Sequence, residues 1–384
     1  MKKVIVSVIF LACLTLGSFA QDIVNDDFIV THGPYIQNLT STGVTIVWAT
    51  NKPAIPGVNI IAPDGTTRFV RNSHYGKVDG GGTFHKVRID GLTQGTKYQY
   101  GTKSVQVLKY QAYKIYYGDT LIRKSETFTT PSNHLDKINF TVVNDVHELS
   151  GKFASYLKNG NSDVQDYYFF NGDMVNFLQN SDQLFTGFID TATAYFAGRK
   201  PFYYIRGNHE TRGYLNQDLK NYFDYKDGRF YYSMDLGPVH FIILDCGEDK
   251  PDDNRYYYGL ADFDTYRTEE LEWLKKEVLS DEFRNAKYKI VLVHIPIVKG
   301  ENQGHGTKFL ADNFGPVLKA AGIDLMISGH IHRNAFYDAG KSGLGYPVLV
   351  NSNNSFVEVA VDNSGIKAIV KDISGKQISE YTFK

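Results

Sequence analysis

Two histidines one residue apart, His330 and His332, close the apolar run IDLMISG. Either Gly and His simply end a strand, or each imidazole takes one of two metal ions. The same kind of ending recurs upstream. VVNDVHE supplies Asp145 and His147, FFNGDMVN supplies Asp173, YIRGNHE supplies Asn208 and His209, and VLVHIP supplies His294. Each polar group stands just past the C-terminal end of an apolar run, the edge at which α/β sheets build their sites. Carboxylate, amide oxygen and imidazole are ligands for first-row metals. The set contains no thiolate, which excludes a Cys-type structural zinc site. Asp145, His147, Asp173, Asn208, His294, His330 and His332 are too many for one tetrahedral ion and suit two ions sharing a carboxylate. A metal pair about 3.5–4 Å apart clamps the attacking and leaving oxygens of an in-line displacement and lowers the pKa of bound water towards about 7. Phosphate esters need that help, since their hydrolysis calls for accelerations up to ~10²¹.

The elements that must position these residues alternate strand and helix. INFTVV (138–143), DYYFF (166–170), PFYYIR (201–206), KYKIVLV (287–293) and IDLMI (323–327) read as strands, and RFYYSMDLGPVHFIILD (229–245) reads as a hairpin. GKFASYLKN (151–159) is helical. SDQLFTGFIDTATAYF (181–196) has helical spacing with Ser181 or Asp182 as N-cap. TYRTEELEWLKKEVL (265–279) puts Leu271, Leu274 and Leu279 on one face. Such alternation predicts helices packed on sheet in a layered α/β domain.

Residues from about 28 to 131 are different. GVTIVWAT (43–50) alternates Val44, Ile46 and Trp48, and breaks recur at NKPAIPG, APDGTT, DGGGT and LTQGT, which predicts a small all-β sandwich. LTQGTKYQYGT (92–102) resembles the fibronectin type III pattern in which Tyr98 forms a tyrosine corner, and SETFTTPS (125–132) resembles that domain's closing strand. No cluster of catalytic side chains lies here, so the module reads as scaffold. PSNHLDK (131–137) reads as the linker. The expected division is a leader over 1–20, the sandwich over 21–131 and the catalytic domain over 136–384.

The leader is MKKVIVSVIFLACLTLGSFA: a basic start at Lys2 and Lys3, a short apolar stretch and a small-x-small cleavage site at Ser18-Phe19-Ala20. The stretch is shorter than the ~20 residues a span needs, and no other segment would cross a membrane. The expectation is an exported protein, periplasmic or extracellular; a lipoprotein anchor at Cys13 fits the preceding residues poorly. Once Cys13 leaves with the leader, Cys246 stands alone and an internal disulfide is excluded. Aromatics make up 14% of the chain, which favours strands, and the net charge of −1 gives no footprint for nucleic acid or an anionic membrane. The partner is a small phosphorylated substrate.

In order and spacing, the five motifs resemble the calcineurin-like metallophosphoesterases, in the branch that includes purple acid phosphatases, and the N-terminal sandwich resembles the module preceding the catalytic domain there. The resemblance implies a four-layer α/β/β/α sandwich rather than a doubly wound sheet. It implies one metal at Asp145, His147 and His332, a second at Asn208, His294 and His330, and Asp173 bridging them. His209 would face the substrate, stabilising phosphoryl oxygens or protonating the leaving alkoxide. His305, in NQGHGTKF, resembles a loop histidine that reaches substrate in that branch, and Arg206 beside the Asn208 motif is a candidate phosphate donor. Glu148 and Glu210 would orient ligands. Purple acid phosphatases carry Gly-Asp-x-x-Tyr, whose tyrosinate binds ferric iron; here the stretch is GDMVN, with Asn176 in that place and His147 added. The cofactor expected is therefore a first-row pair (Mn, Fe or Zn), divalent or mixed-valence, with the divalent pair favoured and no colour. The function implied is hydrolysis of phosphate esters, monoesters first, by metal-bound hydroxide. A phosphodiesterase or nucleotide hydrolase on the same core, and a non-catalytic surface binding protein, remain open alternatives.

Overall fold

The computed structural model describes residues 27–383, apart from 124–125, 133–134 and 301–302. The expected leader and Cys13 lie outside them. Among the described residues no helix is long and apolar enough to cross a membrane.

The N-terminal part is a seven-stranded sheet built around one long strand, Gly43–Ile61. Its first half pairs with Val30–Thr40 and Gly82–Asp90, and its second half with Thr67–Val70 and Lys97–Tyr110. One strand thus serves both layers, and the sheet folds over a core that includes Val44, Ile46, Trp48, Val58, Tyr100 and Phe128. The sequence reading placed a break at NKPAIPG. The strand instead runs through it, with a register shift between Ala49 and Ala54. Proline is tolerated in a sheet at such an irregularity. The Thr93 N–H donates to the Tyr98 hydroxyl at 2.9 Å, which is the hydrogen bond of a tyrosine corner.

Period-two alternation also docks this part on the rest. Val44, Ile46 and Trp48 face their own core, while Tyr35 and Val47 point the other way into the core of the C-terminal part. The Tyr35 hydroxyl donates to the Tyr222 carbonyl at 2.9 Å, Gln37 Nε2 to the Phe202 carbonyl at 3.1 Å and the Tyr100 hydroxyl to the Gly198 carbonyl at 2.8 Å.

Two six-stranded sheets form the C-terminal part. In one, Phe202–Ile205, Tyr167–Asn171 and Ile138–Val143 run parallel, continued antiparallel by Ser355–Asp362, Gly365–Asp372 and Gln377–Phe383. In the other, Val239–Leu244, Tyr288–Val293, Leu325–Ser328 and Val348–Val350 run parallel, with Tyr232–Leu236 and Ala335–Tyr337 antiparallel at the edges. The sheets meet face to face through Phe140, Phe169, Phe241, Leu292 and Leu325. Phe140 and Phe241 pack edge-on at 5.2 Å, a contact worth ~0.5–1.5 kcal/mol beyond its burial. On the outer face of the second sheet, Val291, Val293 and Met326 pack against Leu271 and Leu274 of helix Phe263–Glu277 and Phe314 and Leu318 of helix His305–Ala321. Helix Ser150–Asn159 and the helical stretch from Asp182 to Ala197 flank the first sheet. The layers are α/β/β/α, as expected.

Three local expectations need correction. Leu279 lies past its helix and is 60% exposed, so the apolar face ends at Leu274. Ser181 makes no capping bond; the Gln183 side chain accepts from the N–H groups of Gln179 and Asn180 instead, and the stretch alternates α and π turns. NQGHGTKF is not an open glycine loop: His305 begins a 17-residue helix that carries Pro316 inside it.

Candidate metal centre

The parallel strands of both sheets end at one edge, and the seven expected ligands lie in the turns that follow. Asp145, His147, Asp173, His330 and His332 all have left-handed backbone, φ between 51° and 71°. Asp and His tolerate this region better than most residues, yet each such turn costs ~1–3 kcal/mol. The turns aim consecutive side chains back over the strand ends. Two glycines allow the close packing: a Cβ at Gly172 would run into the His294 ring, and one at Gly207 into Asp173 Oδ1.

Asp145, His147 and His332 form one cluster, Asp173, His294 and His330 a second, and Asp173 joins a third with His147 and His209. Asp173 thus belongs to two of the three clusters, and His147 links them to the first. His332 Nε2 lies 3.0 Å from Asp145 Oδ1 and 3.2 Å from His147 Nε2. His294 Nε2 lies 3.0 Å from Asp173 Oδ2 and 3.9 Å from Asp145 Oδ1. Asn208 Oδ1 is 3.0 Å from His330 Nδ1. Each carboxylate spends one oxygen on the fold and leaves the other for the centre. Asp145 Oδ2 accepts from Asn144 Nδ2 and the His330 N–H, and Asp173 Oδ1 accepts from the His209 N–H.

These residues fit a pair of cations. Asp145 Oδ1 and His294 Nε2 are buried without a hydrogen-bond partner; the 3.0 Å approach of His294 to Asp173 lacks hydrogen-bond alignment. Such groups are normally satisfied, and a metal satisfies both. The electrostatics agree. Burial pulls His294 down, but the charges of Asp173 and Asp145 outweigh it and raise it to about 10. His330, half-buried, is lowered by desolvation and by the neighbouring His294 to about 4. Burial opposes ionisation of Asp173, yet His294 holds it below the usual carboxylate range. The carboxylates demand positive charge among the imidazoles, and a divalent ion supplies it.

The supporting layer fixes ring orientation. His294 Nδ1 meets the Asn171 carbonyl at 2.8 Å, turning Nε2 to the centre. His209 Nδ1 meets the Asn176 carbonyl at 2.7 Å, leaving Nε2 3.8 Å from Asp173 Oδ2. Glu210 is buried and accepts from the N–H groups of Asp173, Met174, Val175 and Gly207 and from the Tyr204 hydroxyl. Glu148 accepts from the Asn176 N–H and Gln183 Nε2. Asn176 is exposed and donates to the His147 carbonyl, so it braces the first turn.

Two expected substrate contacts are placed elsewhere. Arg206 is buried, doubly bonded to Asp245, and its guanidinium lies 4.2 Å from the Phe230 ring centroid. Burial and the Asp245 carboxylate thus turn Arg206 away from the ligand clusters, which it does not join. His305 Nε2 is held by Asp264 at 2.8 Å and joins none of the clusters. The residue that does reach the site is Arg212, which sequence reasoning missed. Its Nε and Nη2 are held by the buried Glu248, and its Nη1 lies 3.3 Å from His209 Nε2. Its place four residues after Asn208 was the available signal. Asn144 and Asn351, which bond each other and brace Asp145, gave no pattern to find.

The model of the calcineurin-like phosphoesterases matches residues 138–334, just over half of the chain, and the protein belongs to that family. Purple acid phosphatase 18 of Arabidopsis thaliana is 25% identical over 149 residues, 35% of this chain and 31% of that protein. The mouse serine/threonine-protein phosphatase CPPED1 is 24% identical over 140 residues, 35% of this chain and 42% of that protein. The chain therefore spans well under half the length of these curated relatives. The structure of purple acid phosphatase PPD1 from yellow lupin superposes with a TM-score of 0.66 at 14% identity, covering 91% of this chain and 73% of that one.

Proposed function

We propose that this protein is an exported phosphatase with a dinuclear metal centre, hydrolysing small phosphate monoesters. The observation that supports it most is the convergence of side chains from five strand ends into three overlapping clusters, linked by His147 and Asp173, with Asn208 Oδ1 3.0 Å from His330 Nδ1. Asp145, His147 and His332 would hold one ion, Asn208, His294 and His330 the other, with Asp173 between them. When bound, the ions supply a hydroxide nucleophile near neutral pH and positive charge against the phosphoryl oxygens. The chain's own residues do the rest. Asn171 and Asn176 carbonyls fix the rings of His294 and His209, and Glu210 holds the backbone of Asp173. His209, with Nδ1 committed to a carbonyl, turns Nε2 to the substrate side, where it assists the phosphoryl oxygens or the leaving oxygen. Asn176 in place of a tyrosinate favours a divalent, colourless pair. Export rests on the basic, apolar and small-x-small pattern of residues 1–20, and the N-terminal sheet is assigned as a fibronectin type III-like module on its tyrosine corner.

The test is hydrolysis of p-nitrophenyl phosphate against bis-p-nitrophenyl phosphate by protein loaded separately with Mn, Zn and Fe. A dominant monoester rate is expected. A dominant diester rate would make the protein a phosphodiesterase, and turnover of neither ester with any metal would overturn the enzymatic reading.

A further inference from the structure

Next to Arg212, whose Nη1 lies 3.3 Å from His209 Nε2, a cavity of about 340 Å³ is lined by Arg212, Glu248, Lys250, Tyr256 and Tyr257. The path from the metal cluster into it is short. Asp173 Oδ2 is 3.8 Å from His209 Nε2, which is 3.3 Å from Arg212 Nη1. A phosphoryl group at the clusters would therefore direct its ester substituent towards this cavity. Its charged groups are already paired. Glu248 is fully buried and takes Arg212 at 2.6 Å, with Lys250 at 3.8 Å, and Lys250 also meets Asp249 at 2.7 Å. What remains is mostly flat surface from the rings of Tyr256 and Tyr257 and the plane of an anchored guanidinium; Arg255 lies over the Tyr256 ring at 4.9 Å and so covers one face of it, and Tyr257 packs edge-on against Phe263. Tyr256 is 64% exposed although it is large and apolar, and Tyr214 and Phe177 are exposed on neighbouring turns. Those turns are joined by hydrogen bonds between Leu178 and both Arg212 and Leu215.

We infer that this cavity is the leaving-group subsite and takes an aromatic ring. The inference rests on the phosphoesterase reading above. Tyrosine rings and a guanidinium attract a π-face, and a purely aliphatic or sugar substituent would gain little from them. Tyr256 and Tyr257 are thus specificity-determining residues, and Arg212 positions the ring next to His209.

The experiment uses Mn-loaded protein, one pair of non-hydrolysable phosphonates and two pairs of esters whose leaving oxygens are all primary alkoxides. Affinities for benzylphosphonate and n-propylphosphonate are measured by calorimetry, and KM values for benzyl phosphate and n-propyl phosphate by phosphate release. The benzyl member should lead by about 3–10-fold in both, the factor expected of aromatic contacts. Tyr256→Ala should bring the ratio close to one, and Tyr256→Phe should restore most of it. Adenosine 5′-phosphate against ribose 5-phosphate identifies the ring's source: a preference confined to that pair assigns a nucleobase, and one confined to the benzyl pair a phenyl-sized ring. No preference in either pair, or a preference that Tyr256→Ala leaves intact, overturns the inference. If no ester is hydrolysed while benzylphosphonate still binds more tightly, the subsite stands and the hydrolase reading falls. Hydrolysis without any preference gives the converse.

Discussion

Replacing Glu210 by Gln changes one oxygen to an amide nitrogen and tests how the shared carboxylate is held. Oε2 accepts from the N–H groups of Asp173 and Gly207 at 3.0 and 2.9 Å, and Oε1 from Met174, Val175 and the Tyr204 hydroxyl at 2.8, 3.3 and 2.7 Å. Five donors and no acceptor face this side chain. Burial and the Asp173 charge push its pKa up, while the donors favour the ionised form. Whichever way the glutamine amide turns, its NH₂ meets at least two N–H donors. Each buried donor left without an acceptor costs ~1–3 kcal/mol, so Glu210→Gln should cost about 2–6 kcal/mol. The turn that loses its anchor carries Asp173, and disturbing such supporting groups lowers metal affinity about 10–100-fold. Urea unfolding followed by circular dichroism gives the first quantity, and competitive Mn titration the second. A variant that unfolds at the wild-type urea concentration and binds Mn as tightly would refute the idea that this carboxylate organises the centre.

Other expectations follow from single contacts. Asp173→Asn and His294→Ala should each abolish binding of at least one metal and most activity, read by elemental analysis and phosphate release. His209→Ala should keep both metals and lose about 10²–10⁴-fold in kcat on an alkyl phosphate; wild-type kcat would remove its role. His240 is buried with Nδ1 2.7 Å from Asp235 and Nε2 3.3 Å from Glu277. Burial opposes its charge, but the two carboxylates outweigh it and raise its pKa above 6.5. A raised histidine contributes stability below its ordinary pKa and loses that contribution as pH climbs through the folded value. His240→Gln should therefore cost about 1 kcal/mol more at pH 5.5 than at pH 9, with the half-exposed Asp235 limiting the gain. The metal-loaded protein should show no visible charge-transfer band; a purple or blue form would mean that a tyrosinate reaches iron.

The chemistry was legible because it sits at strand ends, where polar residues stand out against apolar runs. Asp145, Asp173, Asn208, His294 and His330 each close such a run, and the structure gathers them. Strand–helix alternation likewise foretold the layers. What stayed hidden depends on contacts distant in sequence. Arg212 acquires its place only because Glu248 folds against it, and Arg206, closer to the motif in sequence, is turned away by Asp245. Helix His305–Ala321 was obscured by Gly304, Gly306 and Pro316, which weaken helical propensity locally, while Leu310, Phe314 and Leu318 bury its face. Pro53 and Pro56 suggested a break, but the long strand passes through by shifting register. The left-handed turns at five ligands have no marker in composition, since Asp and His occupy such turns and ordinary loops alike.

The central claim is that these side chains hold two metal ions that act on phosphate esters. The most direct measurement is metal content per chain in the purified protein and in Asp173→Asn, paired with p-nitrophenyl phosphate hydrolysis before and after chelation. Two equivalents of first-row metal in the wild type, fewer in the variant, and activity that disappears with chelation and returns with metal are predicted. A protein that binds no first-row metal under saturating conditions, or one whose hydrolysis survives complete metal removal, would contradict the account.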